Sequence, residues 1–187
     1  VKKMRMAVIL AAGKGTRMKS RLPKVMHEVL GKSMVKHVID NLKAANVDKI
    51  VVILGHEAEL VKNHLSDIDN LEFVEQTEQL GTAHALLQAE ELLKNESGTT
   101  MVVCGDTPLL SSETFEAVFL EHEKQEAACT VVTGIVEDAT GYGRIIRNLE
   151  LGNVEAIVEE KDANEEQKCI TEFNSGTYCF KNSGLFN

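Results

Sequence analysis

The stretch Leu10-Ala11-Ala12-Gly13-Lys14-Gly15-Thr16-Arg17-Met18, followed by Pro23-Lys24, carries the residue types best suited to chemistry. Ala11, Ala12, Gly13 and Gly15 are small, so backbone N–H groups can approach a ligand closely. N–H groups presented in this way can cradle phosphate oxygens. Arg17 adds a planar bidentate fork, and Lys14 and Lys24 add compact cationic heads. Three cations around a glycine-rich turn suit a triphosphate or a pyrophosphate. The same composition fits a flexible turn with solvated lysines about equally well, because short motifs recur by chance. Neither the Gly-x-x-x-x-Gly-Lys-Ser/Thr loop nor the Gly-x-Gly-x-x-Gly dinucleotide fingerprint is present.

Asp106 is the second candidate. It follows the apolar run Met101-Val102-Val103-Cys104, at the end of an expected strand, which is where ligands bind in open α/β sheets. A hard carboxylate there suits Mg²⁺, which takes one or two carboxylates plus substrate phosphates. Read alone, Asp106 is equally a turn or helix-capping residue before Pro108. Gln76 read alone is a surface strand residue. No Ser-His-Asp set is visible, the six histidines are scattered without metal spacing, and His84 reads as a capping or packing residue. Cys104, Cys129, Cys169 and Cys179 form no CxxC pair. The three in apolar runs (Cys104, Cys129 and Cys179) read as small buried hydrophobes in a reducing compartment.

Positioning these groups requires strands and helices in alternation. Ala7–Leu10, Ile50–Leu54, Leu71–Val74, Met101–Cys104 and Thr130–Val132 read as strands. Between them, Met34, Val35, Val38, Ile39, Leu42 and Ala45 recur at helical spacing. Leu60, Val61 and Leu65 suggest a short helix, Ala83 to Leu93 one apolar face, and Phe115, Val118 and Phe119 another. Nearly continuous apolar strands imply burial on both faces, hence an α/β fold: a Rossmann-like, mixed, mostly parallel sheet with helices on both faces. After about Gly134 the strands Ile145-Ile146, Ala156–Val158 and Thr177–Phe180 have less helix between them, which predicts antiparallel additions and a local insertion. No repeat or linker divides the chain, so residues 1–187 read as one domain, and the end at Ser183–Asn187 reads as a helix cut short.

Composition narrows the class. Hydrophobic residues make up 43% and charged residues 26%, as in soluble globular proteins. The net charge of -9 argues against general nucleic-acid binding, which needs a basic footprint. No apolar run approaches the ~20 residues needed to span a bilayer. The run Ala7–Ala12 is too short and too soon basic for a secretory core, so a cytoplasmic location without a membrane partner is expected.

Leu10 to Met18 with Pro23-Lys24 resembles the signature of sugar-1-phosphate nucleotidyltransferases. Within them the chain is most similar to the uridylyltransferase part of the bacterial enzymes that also acetylate glucosamine 1-phosphate. Besides the loop, the resemblance rests on Glu78–Ala85, Gly105–Leu109, Gly141–Ile145, Ile157–Asp162 and Asn174–Gly176. These blocks span nearly the whole chain in the family's order.

The resemblance implies the nucleotide-diphospho-sugar transferase fold and transfer of uridylyl from UTP to N-acetylglucosamine 1-phosphate, for cell-wall precursor synthesis. Leu10, Ala11, Ala12 and Gly13 would contact the nucleotide through their backbone. Arg17 and Lys24 would hold phosphates and stabilise transition-state charge. Gln76, Gly81 and Thr82 would read the uracil and line its pocket. Asp106, after Gly105, would hold Mg²⁺, and Gly143, Glu159 and Asn174 would form the amino-sugar pocket. A tyrosine commonly precedes the Gly-Asp pair in the family, and Cys104 stands there instead. The family's second metal ligand and its acetyltransferase β-helix lie beyond residue 187. The resemblance therefore implies a truncated nucleotidyltransferase domain, weak or inactive and monomeric alone, from a homotrimeric protein. A transferase for another sugar 1-phosphate, and a non-catalytic sugar-nucleotide-binding regulator, are the alternative readings.

Overall fold

A computed structural model describes residues 3–13, 15 and 18–186. The chain forms two compact units, one comprising Val1–Thr130 with Tyr178–Asn187, the other Val131–Thr177. The change of pattern expected near Gly134 falls close to that boundary.

The first unit is built on four parallel strands: β1 (Met4–Ala11), β4 (Lys49–Leu54), β5 (Leu71–Glu75) and β6 (Gly98–Cys104). Their spatial order is β5-β4-β1-β6. Register is continuous, with Met6 opposite Lys49 through Ala11 opposite Leu54, and Met4 opposite Gly98 through Leu10 opposite Cys104. The last residues of β10 (Glu172–Lys181) add an antiparallel strand to β6, Tyr178 facing Val102 and Lys181 facing Thr99. A small hairpin of β2 (Glu28–Val29) and β3 (Lys32–Ser33) leads into α1 (Met34–Ala44).

The apolar strands are buried on both faces. Ala7, Ile9, Ile50, Val52, Leu54, Met101 and Val103 pack on one side with Val35, Val38, Ile39 and Leu42 of α1. Val61 of α2 (Ala58–His64), and Phe115 and Phe119 of α5 (Ser112–Gln125), join them there. Met6, Val8, Val51, Ile53 and Val102 face the other side with Ala85, Ala89 and Leu93. Successive strand side chains alternate between faces, and helices cover both. This is the expected fold.

Three local expectations change. β1 begins at Met4, not Ala7, because Arg5 is absorbed into the sheet. Its guanidinium donates to Glu116 Oε2 at 2.7 Å and Glu123 Oε1 at 3.2 Å, and lies 4.9 Å from the centroid of the Phe119 ring. A paired cation can be buried where a lone one cannot. The apolar face over Ala83–Leu93 is divided into α3 (Thr82–Leu87) and α4 (Glu90–Leu93). At the break the helix tightens to three-residue bonds, Gln88 N to Ala85 O and Ala89 N to Leu86 O, so one buried face survives without one continuous helix. Finally, Cys129 is exposed, because β7 (Cys129–Ile135) contains no fully buried residue.

The second unit holds the hairpin of β8 (Arg144–Arg147) and β9 (Val154–Val158), with Arg144 opposite Val158. Phe173 at the start of β10 pairs with Arg144, and α6 (Glu165–Lys168) is closed by an Asn164/Gln167 capping box. Arg144 is buried; it pairs with Glu160 at 2.7 Å and donates to Ile170 O at 3.1 Å, tying three segments of a unit in which few apolar side chains are fully buried. Among the described residues, no helix is long and apolar enough to cross a membrane.

Candidate functional site

β1 runs out of sheet partners at Ala11, and the small residues after it form the floor of a cavity of about 670 Å³. That volume lies within the range of small-molecule sites. Leu10, Ala11, Ala12, Gly13, Lys24, Gln76, Gly81, Thr82 and Asp106, all named from the sequence, line it together.

Lys24 owes its position to its neighbours. It opens a short 3-10 turn, Lys24–Met26, after Pro23, and Val25 and Met26 are anchored in the core. Gly15 packs beneath it: φ is +57°, and a Cβ there would fall 2.7 Å from Lys24 Cβ. Asp106 stands in the turn after β6, where Thr107 Oγ1 donates to Cys104 O at 2.7 Å. Lys24 Nζ and Asp106 Oδ2 are 2.5 Å apart, with side chains about a third exposed. The ammonium and the carboxylate therefore face one ligand space rather than opposite sides of the sheet.

Gly105 is placed differently. It is buried behind the cavity rather than lining it, its N–H donating to Leu10 O at 2.9 Å. An added Cβ would lie 3.1 Å from Val25 Cγ1, so this glycine lets the Asp106 turn close against the anchor of Lys24.

One wall of the cavity comes from the segment after β5. Gln76 is buried; its N–H donates to Leu54 O at 2.7 Å, and its side-chain amide donates to Gly81 O at 3.1 Å. The amide nitrogen also lies 3.0 Å from His84 Nδ1, so His84 packs beside the cavity as expected. Gly81 adopts φ +101° before the first turn of α3, a conformation that L side chains rarely take.

Gly143, Glu159 and Asn174 gather within the second unit. Asn174 N donates to Gly143 O at 2.8 Å, and a Cβ on Gly143 would lie 3.1 Å from Glu159 Oε1. Lys14 and Arg17 lie outside the described residues.

Gln79 was missed as a site residue. It lines the cavity and its Nε2 donates to Ala12 O at 2.6 Å, linking that wall to the floor. Its place in the Glu78–Ala85 block was the available signal. Met18, Val25, Ala85 and Cys104 also line the cavity.

The Cys104 thiol is pushed up to about 11 by burial, then by the neighbouring Asp106 charge. Cys179 is pushed up to about 12, again mainly by burial. At pH 8 a thiol of that kind is thiolate in about one molecule in a thousand or fewer. Iodoacetamide at pH 8, followed by peptide mass mapping, is expected to label exposed Cys169 and Cys129 while sparing Cys104 and Cys179. Labelling of Cys104 as fast as Cys169 would contradict this environment.

Among the described residues, no group of three or more His, Cys, Asp or Glu is arranged to hold a metal ion. Any metal at this cavity would take Asp106 and complete its shell from elsewhere.

Known proteins agree with the fold. The chain is 56% identical over 182 residues to the bifunctional protein GlmU of Bacillus licheniformis, a match covering 97% of this chain and 39% of that protein. It is 57% identical, with the same coverage, to the bifunctional protein GlmU of Listeria monocytogenes. The chain thus spans about two fifths of the length of these curated relatives. A solved UDP-glucose pyrophosphorylase complexed with UDP-glucose superposes with TM-score 0.75 at 22% identity, over 95% of this chain and 76% of that one. A putative glucose-1-phosphate thymidylyltransferase from Bacillus anthracis gives TM-score 0.78 at 21% identity, over 97% and 73%. At those identities the two structures bear on the fold alone. The nucleotidyl transferase family matches from residue 6 to residue 186, nearly the whole chain, and the chain therefore belongs to that family.

Proposed function

We propose that this chain transfers uridylyl from UTP to N-acetylglucosamine 1-phosphate, releasing pyrophosphate. The reading extends to a longer cytoplasmic protein, homotrimeric, that also acetylates glucosamine 1-phosphate. The observation that supports it most is the 2.5 Å approach of Lys24 to Asp106 above a floor of small residues, in a cavity large enough for a nucleotide.

In the proposed reaction an oxygen of the sugar phosphate attacks the α-phosphorus of UTP in line. The new P–O bond forms as the bond to pyrophosphate breaks, and pyrophosphate leaves with the electron pair. A phosphate dianion is already a nucleophile, so no protein nucleophile or general base is needed. Catalysis then consists of positioning and charge neutralisation. Lys24 holds phosphate oxygens, and Arg17 is assigned the same role from the resemblance. The backbone from Leu10 to Gly13 supports the nucleotide, with Gln76, Gly81 and Thr82 against the base.

A divalent ion fits the donor set. One hard carboxylate, part exposed beside a lysine, suits Mg²⁺, which completes its shell with substrate phosphates and water. Asp106 would hold it, and the ion supplies neutralisation of the phosphate charge. Gly143, Glu159 and Asn174 are assigned to the amino sugar, Gly143 permitting close approach and the other two offering hydrogen bonds to hydroxyls and the acetamido group.

The test is pyrophosphate release by the protein at its full natural length, with UTP, CTP and TTP against several sugar 1-phosphates, with and without Mg²⁺. Turnover is expected with UTP and N-acetylglucosamine 1-phosphate. Preference for another pair would replace the reading. In the same assay Arg17→Ala is expected to lower kcat about 100-fold or more while UTP affinity falls less than about tenfold. Equal losses in both would contradict a transition-state role.

A further inference from the structure

We propose that His84 is a positioning residue that commits the Gln76 amide to accept, rather than donate, a hydrogen bond from the base. The inference rests on reading the cavity as a nucleotide site.

The argument is a count of hydrogens. A Gln amide has two N–H donors and one oxygen. Gln76 Nε2 lies 3.1 Å from Gly81 O and 3.0 Å from His84 Nδ1. The Gly81 carbonyl carries no hydrogen, so it decides which end of the amide faces it; the reversed amide would set two oxygens against each other. With the NH₂ end fixed there, His84 Nδ1 must accept the second hydrogen. The ring proton then sits on Nε2, and the imidazole is neutral. The 3.4 Å approach of Gln88 Nε2 to His84 Nε2 is not a bond in that tautomer, and Gln88 instead donates to His84 O at 3.0 Å.

Both Gln76 donors are thereby spent inside the protein. Its Oε1, on a side chain that lines the cavity, has no partner among the described residues. Only an acceptor is left to meet a base. Aimed at ring position 3, it takes the imide N3–H of uracil or thymine, whereas cytosine presents a bare N3 there and carries its donor on the 4-amino group instead. A site built around one hydrogen-bonding sense rejects the opposite sense strongly, because a desolvated polar group is left unpaired.

The test compares kcat/KM for UTP and CTP in the full-length protein carrying wild-type His84, His84→Leu or His84→Asn. The wild type is expected to favour UTP by roughly 100-fold or more. His84→Leu removes the acceptor and frees one N–H, and is expected to lower the UTP-to-CTP ratio by about tenfold or more. Asn places Oδ1 near the position of Nδ1 and accepts the same hydrogen, so His84→Asn should hold the ratio within about threefold. A role confined to packing would lower both nucleotides together, and an unchanged ratio in His84→Leu overturns the inference while leaving the uridine reading intact. Absence of UTP preference in the wild type overturns both. Independently of any variant, a long-range ¹H–¹⁵N spectrum of the folded wild type should show Nδ1 as the unprotonated ring nitrogen, and an Nδ1–H tautomer overturns the inference even if His84→Leu fails to fold.

Discussion

Asp106→Asn is expected to lower kcat by about 10³-fold while changing metal-free UTP affinity less than about threefold. Asn keeps the volume of Asp and the Cys104–Thr107 turn, whose bond is made by Thr107 and not by residue 106. What it removes is the negative charge 2.5 Å from Lys24 and, on the proposed reading, the one carboxylate among the described residues lining the cavity that a divalent ion could take. Charge that develops on phosphate oxygens during transfer then loses part of its compensation, and such losses appear in the chemical step. Lys24→Ala removes the opposite partner and should weaken UTP binding as well as turnover, since on the proposed reading the ammonium meets phosphate in both ground and transition states. Because the two side chains are in direct contact, the double variant should lose less than the product of the single losses. Steady-state pyrophosphate release, paired with calorimetric UTP titration, measures both. A kcat for Asp106→Asn within tenfold of wild type would remove Asp106 from the catalytic machinery.

Gly55→Ala tests the floor of the cavity from beneath. β1 and β4 are in register to Ala11 opposite Leu54, so Gly55 stands beside Ala12. A Cβ on Gly55 would fall 2.4 Å from Ala12 O and 2.9 Å from Ala12 Cα. Those are backbone atoms, and the same Ala12 O already accepts from Gln79 Nε2 at 2.6 Å. Nothing flexible can absorb the methyl, so the loop must shift. The expected cost is about 2 kcal/mol of stability by chemical denaturation, typical of overpacking. The expected loss in kcat/KM is between about tenfold and 100-fold, because small displacements of a positioned group are costly. Gly184→Ala is the control for stability. A Cβ there meets nothing within 4 Å, and the change should stay within about 0.5 kcal/mol. Equal stability of the two variants would show that the loop tolerates displacement and that Gly55 does not set it.

The glycines illustrate how much of the site could be read in advance. Gly13 and Gly15 announce themselves by lying among cations. Gly55 was legible only as the end of a strand, since its constraint comes from a loop more than 40 residues earlier in the chain. Gln79 was visible as part of a block but had no role until the fold set its amide against Ala12. Arg5 looked like a charge outside the first strand, and the carboxylates that bury it, Glu116 and Glu123, lie on α5.

By itself the sequence determined the class of fold, the strands that build it and the loop whose small residues line the cavity. Those are local or periodic properties: a strand buried on both faces must be apolar throughout, and a turn that admits phosphate must be small and cationic. Only the tertiary structure decided that Lys24 and Asp106 share one cavity, that Cys129 is exposed, that the Ala83–Leu93 face breaks in two, and which way Gln76 points. Each of these depends on atoms from segments far apart in the chain, whose distances are set by sheet register and helix packing and have no signature in the spacing of residues along it.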